Sequence, residues 1–258
     1  MSILAILALV IISAASGRVW FTLLATPEKL DALEAWGASV ALGVAFNGWL
    51  GLLLAEIGFF SMWWIGLVNV AIILIGLGRY RQALWNTDLP IPRLEAAVLA
   101  VWLLVAVVLF FRPHQFLTGG ADAGVYVNLA AQIAHSGTIT MHDETLALID
   151  PALYPALLRP QPEWFADPYY WLPAFNVPDQ SGTIVPRFYH LAPVWQAAGY
   201  QLGGLEGLLY LTPLWALLGS SVIYLTMRRL WSWPWAAVGL WGLTLNALQV
   251  WFARYPTT

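Results

Sequence analysis

The sequence has no cysteine and few charged residues. Of its 258 residues, 60% are hydrophobic and 10% are charged. The absence of cysteine excludes a disulfide framework, a thiol nucleophile and any metal or iron–sulfur site with cysteine ligands. A soluble globular domain usually carries about 25% charged residues. The low charged fraction therefore excludes a water-soluble domain and indicates a protein of the lipid bilayer.

The sequence also lacks a basic excess, a long polar segment and several catalytic motifs. The net charge of −3 argues against a nucleic-acid partner. No long stretch is both polar and charged, which excludes intrinsic disorder. The HExxH spacing of zinc proteases does not occur, and no serine of the long loop described below lies in a GxSxG context. The glycines of "GGLEGLL" do not form a phosphate-binding loop.

Six apolar segments are candidates to cross the roughly 30 Å of bilayer hydrocarbon. They cover about residues 3–25, 37–54, 60–77, 94–111, 205–227 and 235–252. Pro213 lies inside the fifth and should kink it. The first run is either a span or a cleaved signal peptide ending near "ISAASG". The lack of positive charge before it, and Arg18 within it, favour a span that keeps residues 1–17.

Basic residues in the short loops predict the orientation of these spans, because such residues are retained on the cytoplasmic side. Arg18 lies in the last third of span one, and the others fall between spans one and two, three and four, and five and six: Lys29, Arg79, Arg81, Arg93, Arg228 and Arg229. The sequence therefore predicts an all-α, multi-pass protein of the plasma membrane with about six transmembrane helices. Residues 112–204 form one long external loop, which should contain short amphipathic surface helices.

This external loop holds much of the polar chemistry of the chain. It contains all four histidines and seven of the 14 acidic residues, namely Asp122, Asp143, Glu144, Asp150, Glu163, Asp167 and Asp179. The predicted spans contain few ionisable residues, which weakens the hypothesis of a proton-coupled transporter. We therefore expect the functional residues to lie in this loop.

The segment "GGADAGVYVNLAAQIAHSG" predicts a surface helix. Gly119-Gly120 should precede the helix and Ser136-Gly137 should end it. Helical spacing puts Asn128, Gln132 and His135 on one face. The opposite, apolar face should lie on the membrane, and it carries Tyr126, Leu129, Ala130 and Ile133.

Asp122 lies in the first turn of this helix and is expected on its apolar side. Two interpretations are open. As an N-cap, Asp122 would only begin the helix. As a general base at the lipid–water boundary, it would have a pKa raised by partial desolvation.

A second helix is predicted over about residues 192–200, within "IVPRFYHLAPVWQAAGYQLGG". Arg187, Tyr189 and His190 precede it and could bind a phosphate. Alternatively, Arg187 pairs with an acid of the loop. The intervening "PQPEWFADPYYWLPAFNVPDQSG" is rich in proline and aromatics, which suits an irregular lid, a surface that stacks on sugars, or contact with headgroups.

The arrangement of a span, a surface helix with an early aspartate, a long external loop and a second surface helix resembles the GT-C superfamily of polytopic glycosyltransferases. Two segments carry the resemblance: "GGADAGVYVNLAAQIAHSGTI", and "ARYPT" near residue 255. They are most similar to the dolichyl-phosphate-mannose mannosyltransferase-like group, which is related to the protein O-mannosyltransferases. The resemblance covers about residues 94–258. Residues 1–93 would be a three-span N-terminal extension to the module.

The resemblance implies transfer of a sugar from a polyprenyl-phosphate donor to a glycan, lipid or protein hydroxyl, with inversion and with Asp122 as general base. Charge and membrane side, not a motif, suggest Arg187 first and Arg254 second for the leaving phosphate, with His190 beside them. Tyr126 and Asp143 are assigned to the substrate loop. The resemblance implies no metal ligands among these residues. Some relatives use a divalent cation and others do not, so both a metal-dependent and a metal-independent reaction stay open.

The end of the chain departs from the family pattern. Family members usually continue through further spans, and often carry another acidic residue in the next external loop, whereas "ARYPTT" ends where that loop should begin. We therefore expect an N-terminal fragment, which would be inactive by itself if the site is divided. Two other hypotheses stay open: a non-catalytic membrane scaffold, and a transporter or flippase subunit.

Overall fold

A computed structural model of the protein describes residues 2–24, 30–85, 91–117, 122–163, 167–172 and 174–256. Lys29 and the predicted break at Gly119-Gly120 lie outside these residues. The long helices are α1 Ser2–Leu24, α2 Ala32–Glu56, α3 Met62–Trp85, α4 Arg93–Phe110, α5 Asp122–Ser136, α8 Leu191–Leu209, α9 Leu211–Leu230 and α10 Trp233–Thr244. The short ones are α6 Glu144–Ala147, α7 Tyr154–Leu157, α11 Ala247–Phe252 and a 3₁₀ turn at Pro151–Leu153. The strands are β1 Met141–His142, β2 Arg159–Pro160, β3 Tyr169–Leu172, β4 Phe175–Val177 and β5 Thr183–Pro186.

The first four predicted spans correspond to α1–α4, each of which is long and apolar enough to cross a membrane. The polar start of α2 explains why it begins earlier than its apolar run. Asp31 accepts a hydrogen bond from the amide of Glu34, and the Glu34 carboxylate accepts one from the amide of Asp31. This reciprocal capping box stabilises a first turn that hydrophobicity alone does not predict.

The described part of the chain supports a multi-pass helical membrane protein and offers four or five of the six predicted spans. Within it, four helices qualify as spans, or five if the bent pair α8 and α9 is one span. The sixth predicted span is broken, because α10 ends at Thr244 and Asn246 begins α11 by accepting hydrogen bonds from the amides of Leu248 and Gln249. The 12 residues of α10 extend only about 18 Å, which is less than the hydrocarbon thickness.

The bend in the fifth segment precedes the predicted proline kink. The axes of α8 and α9 differ by 82° across Tyr210. Pro213 lies in the first turn of α9, where its missing amide would have no intrahelical partner anyway, so it is accommodated without a kink. Inside α8, Gly203 and Gly204 leave helical geometry, and Gly204 has a φ of +62° that favours glycine.

Helices α1 and α2 cross at a line of small residues. A Cβ atom added to Gly17 would lie 1.9 Å from the backbone oxygen of Ser39, and one added to Gly43 would lie 1.7 Å from that of Ser13. Side chains larger than hydrogen are therefore excluded at both glycines. Such close backbone contact is typical of helix pairs in membranes.

Five ionisable residues form a network at one end of the helices, which we call the basic end. Arg228 of α9 lies 2.5 Å from both a carboxylate oxygen of Asp31 and one of Glu95. Glu95 is fully buried, and Arg229 pairs with Glu34 at 3.1 Å. The network joins the starts of α2 and α4 to the end of α9. It is a polar feature that the scarcity of charge in the predicted spans did not suggest.

The long loop packs at the opposite end, which we call the loop end. The amide of Phe60 donates to the oxygen of Gly137, and that of Met62 donates to the side-chain oxygen of Gln201. The contacts thus separate the loop from the Arg228 network. The same separation underlies the predicted orientation, although which end faces the cytoplasm stays a prediction.

The segment predicted to be an irregular lid contains part of a small antiparallel sheet. Its strand order is β1-β5-β4-β3-β2. Phe175, Val177 and Ile184 are buried in one core with α5 and α8. Because α8 also packs on α1 and α2, the predicted boundary at residue 93 does not mark a gap in packing.

Candidate functional site

Helix α5 is amphipathic as predicted, but its apolar face is covered by protein. Leu129, Ala130 and Ile133 are fully buried, and α5 packs against α8. The surface helix was expected to lie with this face on lipid. The correction follows from α8, whose own buried face supplies the apolar cover that lipid was expected to provide.

Tyr126 connects α5 to the segment 187–190. Its side chain is buried, and its ring lies edge-on to that of Phe188, with the centroids 5.1 Å apart. An aromatic pair in this geometry is favourable beyond the area it buries. Tyr126 therefore makes an internal contact that positions the first turns of α5, and its assignment to the substrate loop stays a prediction.

Asp122 is the first residue of α5 and is exposed. It lies one turn before the buried Tyr126, and its exposure corrects the expectation that it lies on the apolar side of the helix. A first-turn carboxylate is also favoured by the unpaired amides at a helix N-terminus. The position leaves the carboxylate accessible to a ligand at the loop end.

Arg187 is paired with an acid of the loop, which is the alternative left open by the sequence. Its Nε lies 3.0 Å from Oδ2 of Asp167, and its Nη2 also contacts that oxygen. Asn176 donates to the same oxygen at 2.9 Å. Burial alone would raise the pKa of Asp167, but the hydrogen bonds from Asn176 and Arg187 and the positive charge of Arg187 lower it below its ordinary value. A phosphate bound by Arg187 would have to compete with this carboxylate.

His190 and Tyr189 follow Arg187 immediately before α8. The Nδ1 atom of His190 lies 3.4 Å from a carboxylate oxygen of Glu56, and Nε2 lies 3.4 Å from the backbone oxygen of Pro186. His190 therefore links the loop to the end of α2. Tyr189 is 88% exposed, so its ring is available for an external contact.

Arg254 lies at the end of α4, where the loop begins. Its Nε donates to the backbone oxygen of Leu109 at 2.7 Å, and its own backbone oxygen accepts from the amide of His114. A cation is favourable beside the unpaired carbonyls of a helix C-terminus. The ring of His114 lies 5.0 Å from that of Trp251, so α11 is held against the start of the loop.

Sequence reasoning missed Arg112 as a candidate cation. It follows Phe111 at the end of α4, its side chain is exposed, and it forms no ion pair with the residues that the structure describes. Its position immediately after the last apolar residue of the span was a usable signal. Arg112 and Arg254 thus provide two guanidinium groups at the C-terminus of one helix.

Asp143 has a structural role in the described contacts. Its carboxylate caps α6 by accepting from the amide of Leu146 at 2.8 Å, and its own amide donates to the oxygen of Gly182. The φ of +79° at Gly182 permits this turn. The assignment of Asp143 to the substrate loop stays a prediction.

Two contacts connect helix α5 to other parts of the predicted site. The ring contact of Tyr126 joins the turn after Asp122 to segment 187–190, and Asn128 of α5 donates to the oxygen of Leu117 in the chain that leaves α4. Among the described residues, no cluster of three histidine or acidic side chains could hold a metal ion. No protein family, curated protein or solved structure matches the chain.

Proposed function

We propose that the protein is a membrane glycosyltransferase that moves a sugar from a polyprenyl-phosphate donor to an acceptor hydroxyl at the outer face of the membrane. The observation that carries the proposal is the buried contact of Tyr126 with Phe188. This contact joins segment 187–190 to the helical turn that follows the exposed Asp122, at the loop end of the spanning helices. A lipid-linked donor and a water-soluble acceptor would meet at this level.

In the proposed reaction, the Asp122 carboxylate takes the proton of the acceptor hydroxyl. The acceptor oxygen forms a bond to the anomeric carbon of the sugar, and the bond from that carbon to the phosphate oxygen breaks. The polyprenyl phosphate leaves with the bonding electrons, and the anomeric configuration is inverted. General base catalysis of this kind contributes about 10²–10⁴-fold to a rate.

The leaving phosphate requires a cation at the same level of the membrane. The contacts favour Arg254 and Arg112 over Arg187 for this role. Arg187 already pairs with Asp167, whereas neither Arg112 nor Arg254 forms an ion pair with the described residues. His190 follows Arg187 by three residues and is proposed as a further hydrogen-bond donor to the phosphate. A charge-assisted hydrogen bond to phosphate contributes about 1.5–3 kcal/mol.

The test compares transfer with transport in proteoliposomes that contain the full chain. The probes are polyprenyl-phosphate mannose and polyprenyl-phosphate glucose, each labelled in the sugar, with a soluble hydroxyl acceptor. The proposal predicts labelled product that retains the sugar and lacks the lipid. Movement of the intact donor across the bilayer without product would instead identify a flippase, and the absence of both with either donor would contradict the proposed function.

A further inference from the structure

A long apolar groove lies between α2, α4 and α9. Its volume is about 710 Å³. The lining is almost entirely hydrocarbon and includes Trp36, Val44, Leu99, Leu103, Leu218 and Leu225. The groove lies among helices that are apolar enough to cross a membrane, so the medium that reaches it is lipid.

The floor of the groove is α9, on which α2 and α4 both pack. Gly219 lies in this floor, and a Cβ atom added to it would meet nothing within 4 Å. The space above Gly219 is therefore open. Helices α2 and α4 form the walls of the groove. At the basic end, Arg228 pairs with both Asp31 at the start of α2 and Glu95 of α4, so the ion pairs hold these two helices together.

The length of the groove fits a hydrocarbon chain from one leaflet. Along α9 the groove runs from Trp215 to Leu225, which is about 15 Å at 1.5 Å per residue, or half of the hydrocarbon thickness. An acyl chain that enters from one leaflet would therefore extend along the whole groove.

Among the described residues of the Arg228 network, the most exposed charge at the basic end of the groove is the positive charge of Arg229. The acids there are shielded, since Asp31, Glu34 and Glu95 have side chains no more than 15% exposed and each contacts an arginine. Arg229 pairs with Glu34 through Nε, so a phosphate would share its guanidinium with this carboxylate. The Arg229 side chain is 50% exposed and continues the helical face of α9 that carries Val222 and Leu225. Such a cation suits the phosphate of a lipid headgroup.

We propose that this groove binds one acyl chain of an anionic phospholipid from the leaflet at the basic end, with Arg229 contacting its phosphate. The site lies at the end of the spans opposite to the loop, so it is separate from the proposed site of sugar transfer. By filling the space between α2 and α4, the bound chain stabilises the packing of both helices on α9.

The test measures phospholipid retained by the full chain after transfer from nanodiscs of phosphatidylglycerol and phosphatidylcholine, mixed 1:1, into mild detergent. Native mass spectrometry should show one phosphatidylglycerol bound to the wild-type protein. Gly219→Leu should reduce its retention at least tenfold, because the new side chain occupies the groove. Gly66→Leu is the matched control, since Gly66 of α3 also faces open space but does not line the groove.

Three further variants complete the design. Arg229→Gln should remove the preference for phosphatidylglycerol over phosphatidylcholine, whereas Arg79→Gln, at an exposed arginine of α3, should keep it. Ala100→Leu fills the groove from the α4 wall and replaces Gly219→Leu if that variant misfolds. Equal lipid retention by wild type and the filled variants would overturn the proposal. So would a wild-type dimer that Gly219→Leu dissociates, because it would make protein the occupant.

Discussion

Removing the buried carboxylate of Glu95 should strongly destabilise the helix bundle. Glu95 is fully buried, accepts a hydrogen bond from the Tyr224 hydroxyl at 2.7 Å, and lies 2.5 Å from Nε of Arg228. Breaking a buried ion pair by removing one partner costs about 3–5 kcal/mol. Arg228 would keep Asp31, which favours the lower part of this range, but the Tyr224 hydroxyl would lose its acceptor, at about 1 kcal/mol. We expect Glu95→Ala to lower the free energy of unfolding by about 4 kcal/mol.

The measurement is reversible unfolding of the purified protein in mixed micelles with increasing SDS. Glu144→Ala is the control, because Glu144 is an exposed glutamate of α6 and its loss should cost less than about 0.5 kcal/mol. A double-mutant cycle with Arg228→Gln should give a coupling energy of at least about 1.5 kcal/mol. If Glu95→Ala were no more destabilising than Glu144→Ala, the network would not stabilise the basic end.

Three further outcomes are expected. Gly17→Ala should lower the free energy of unfolding by about 1–3 kcal/mol, because the new methyl group would clash with the backbone of α2. Gly66→Ala is the control, since its methyl group would meet open space and should leave the stability unchanged. Equal effects of the two substitutions would refute the close crossing of α1 and α2. Because the pKa of Asp167 is lower in the folded protein, its pair with Arg187 should be fully present above the ordinary carboxyl value of 3.8. The pair should be lost as pH falls through the folded pKa of Asp167. Asp167→Asn should therefore make the free energy of unfolding depend less on pH between about pH 6 and 2. An unchanged pH dependence in this variant would contradict the prediction. Arg254→Gln should lower kcat for transfer from a polyprenyl-phosphate donor at least about 10-fold, because negative charge grows on the leaving phosphate, whereas an unchanged kcat would remove Arg254 from this role.

The long apolar helices could be predicted from sequence because their signal is continuous. The runs that became α1 to α4 are each long enough to cross hydrocarbon, and the helical spacing of Leu129 and Ile133 correctly predicted the buried face of α5. The breaks in the last segments were missed, since Tyr210 and Asn246 interrupt stretches that stay apolar on both sides. The capping side chain of Asn246 was a local signal for the second break.

The polar contacts were harder to predict because they join residues far apart in the chain. Arg228 meets Glu95 across 133 positions, and Arg187 meets Asp167 across 20. The sequence suggested that Arg187 had either a phosphate or an acid as partner, and only the fold selected the acid. The sheet was missed because its strands are two to four residues long, too short for a clear alternating pattern.

The proposal that Asp122 is the general base of sugar transfer is tested most directly by the transfer rate of Asp122→Asn. Sugar transfer from the polyprenyl-phosphate donor is measured with the full chain in proteoliposomes at saturating donor. Asp179→Asn makes the same chemical change at an exposed turn of the loop and is the control. The account predicts a loss of at least about 100-fold for Asp122→Asn and a rate near wild type for Asp179→Asn. A folded Asp122→Asn protein that transfers sugar at the wild-type rate would contradict it.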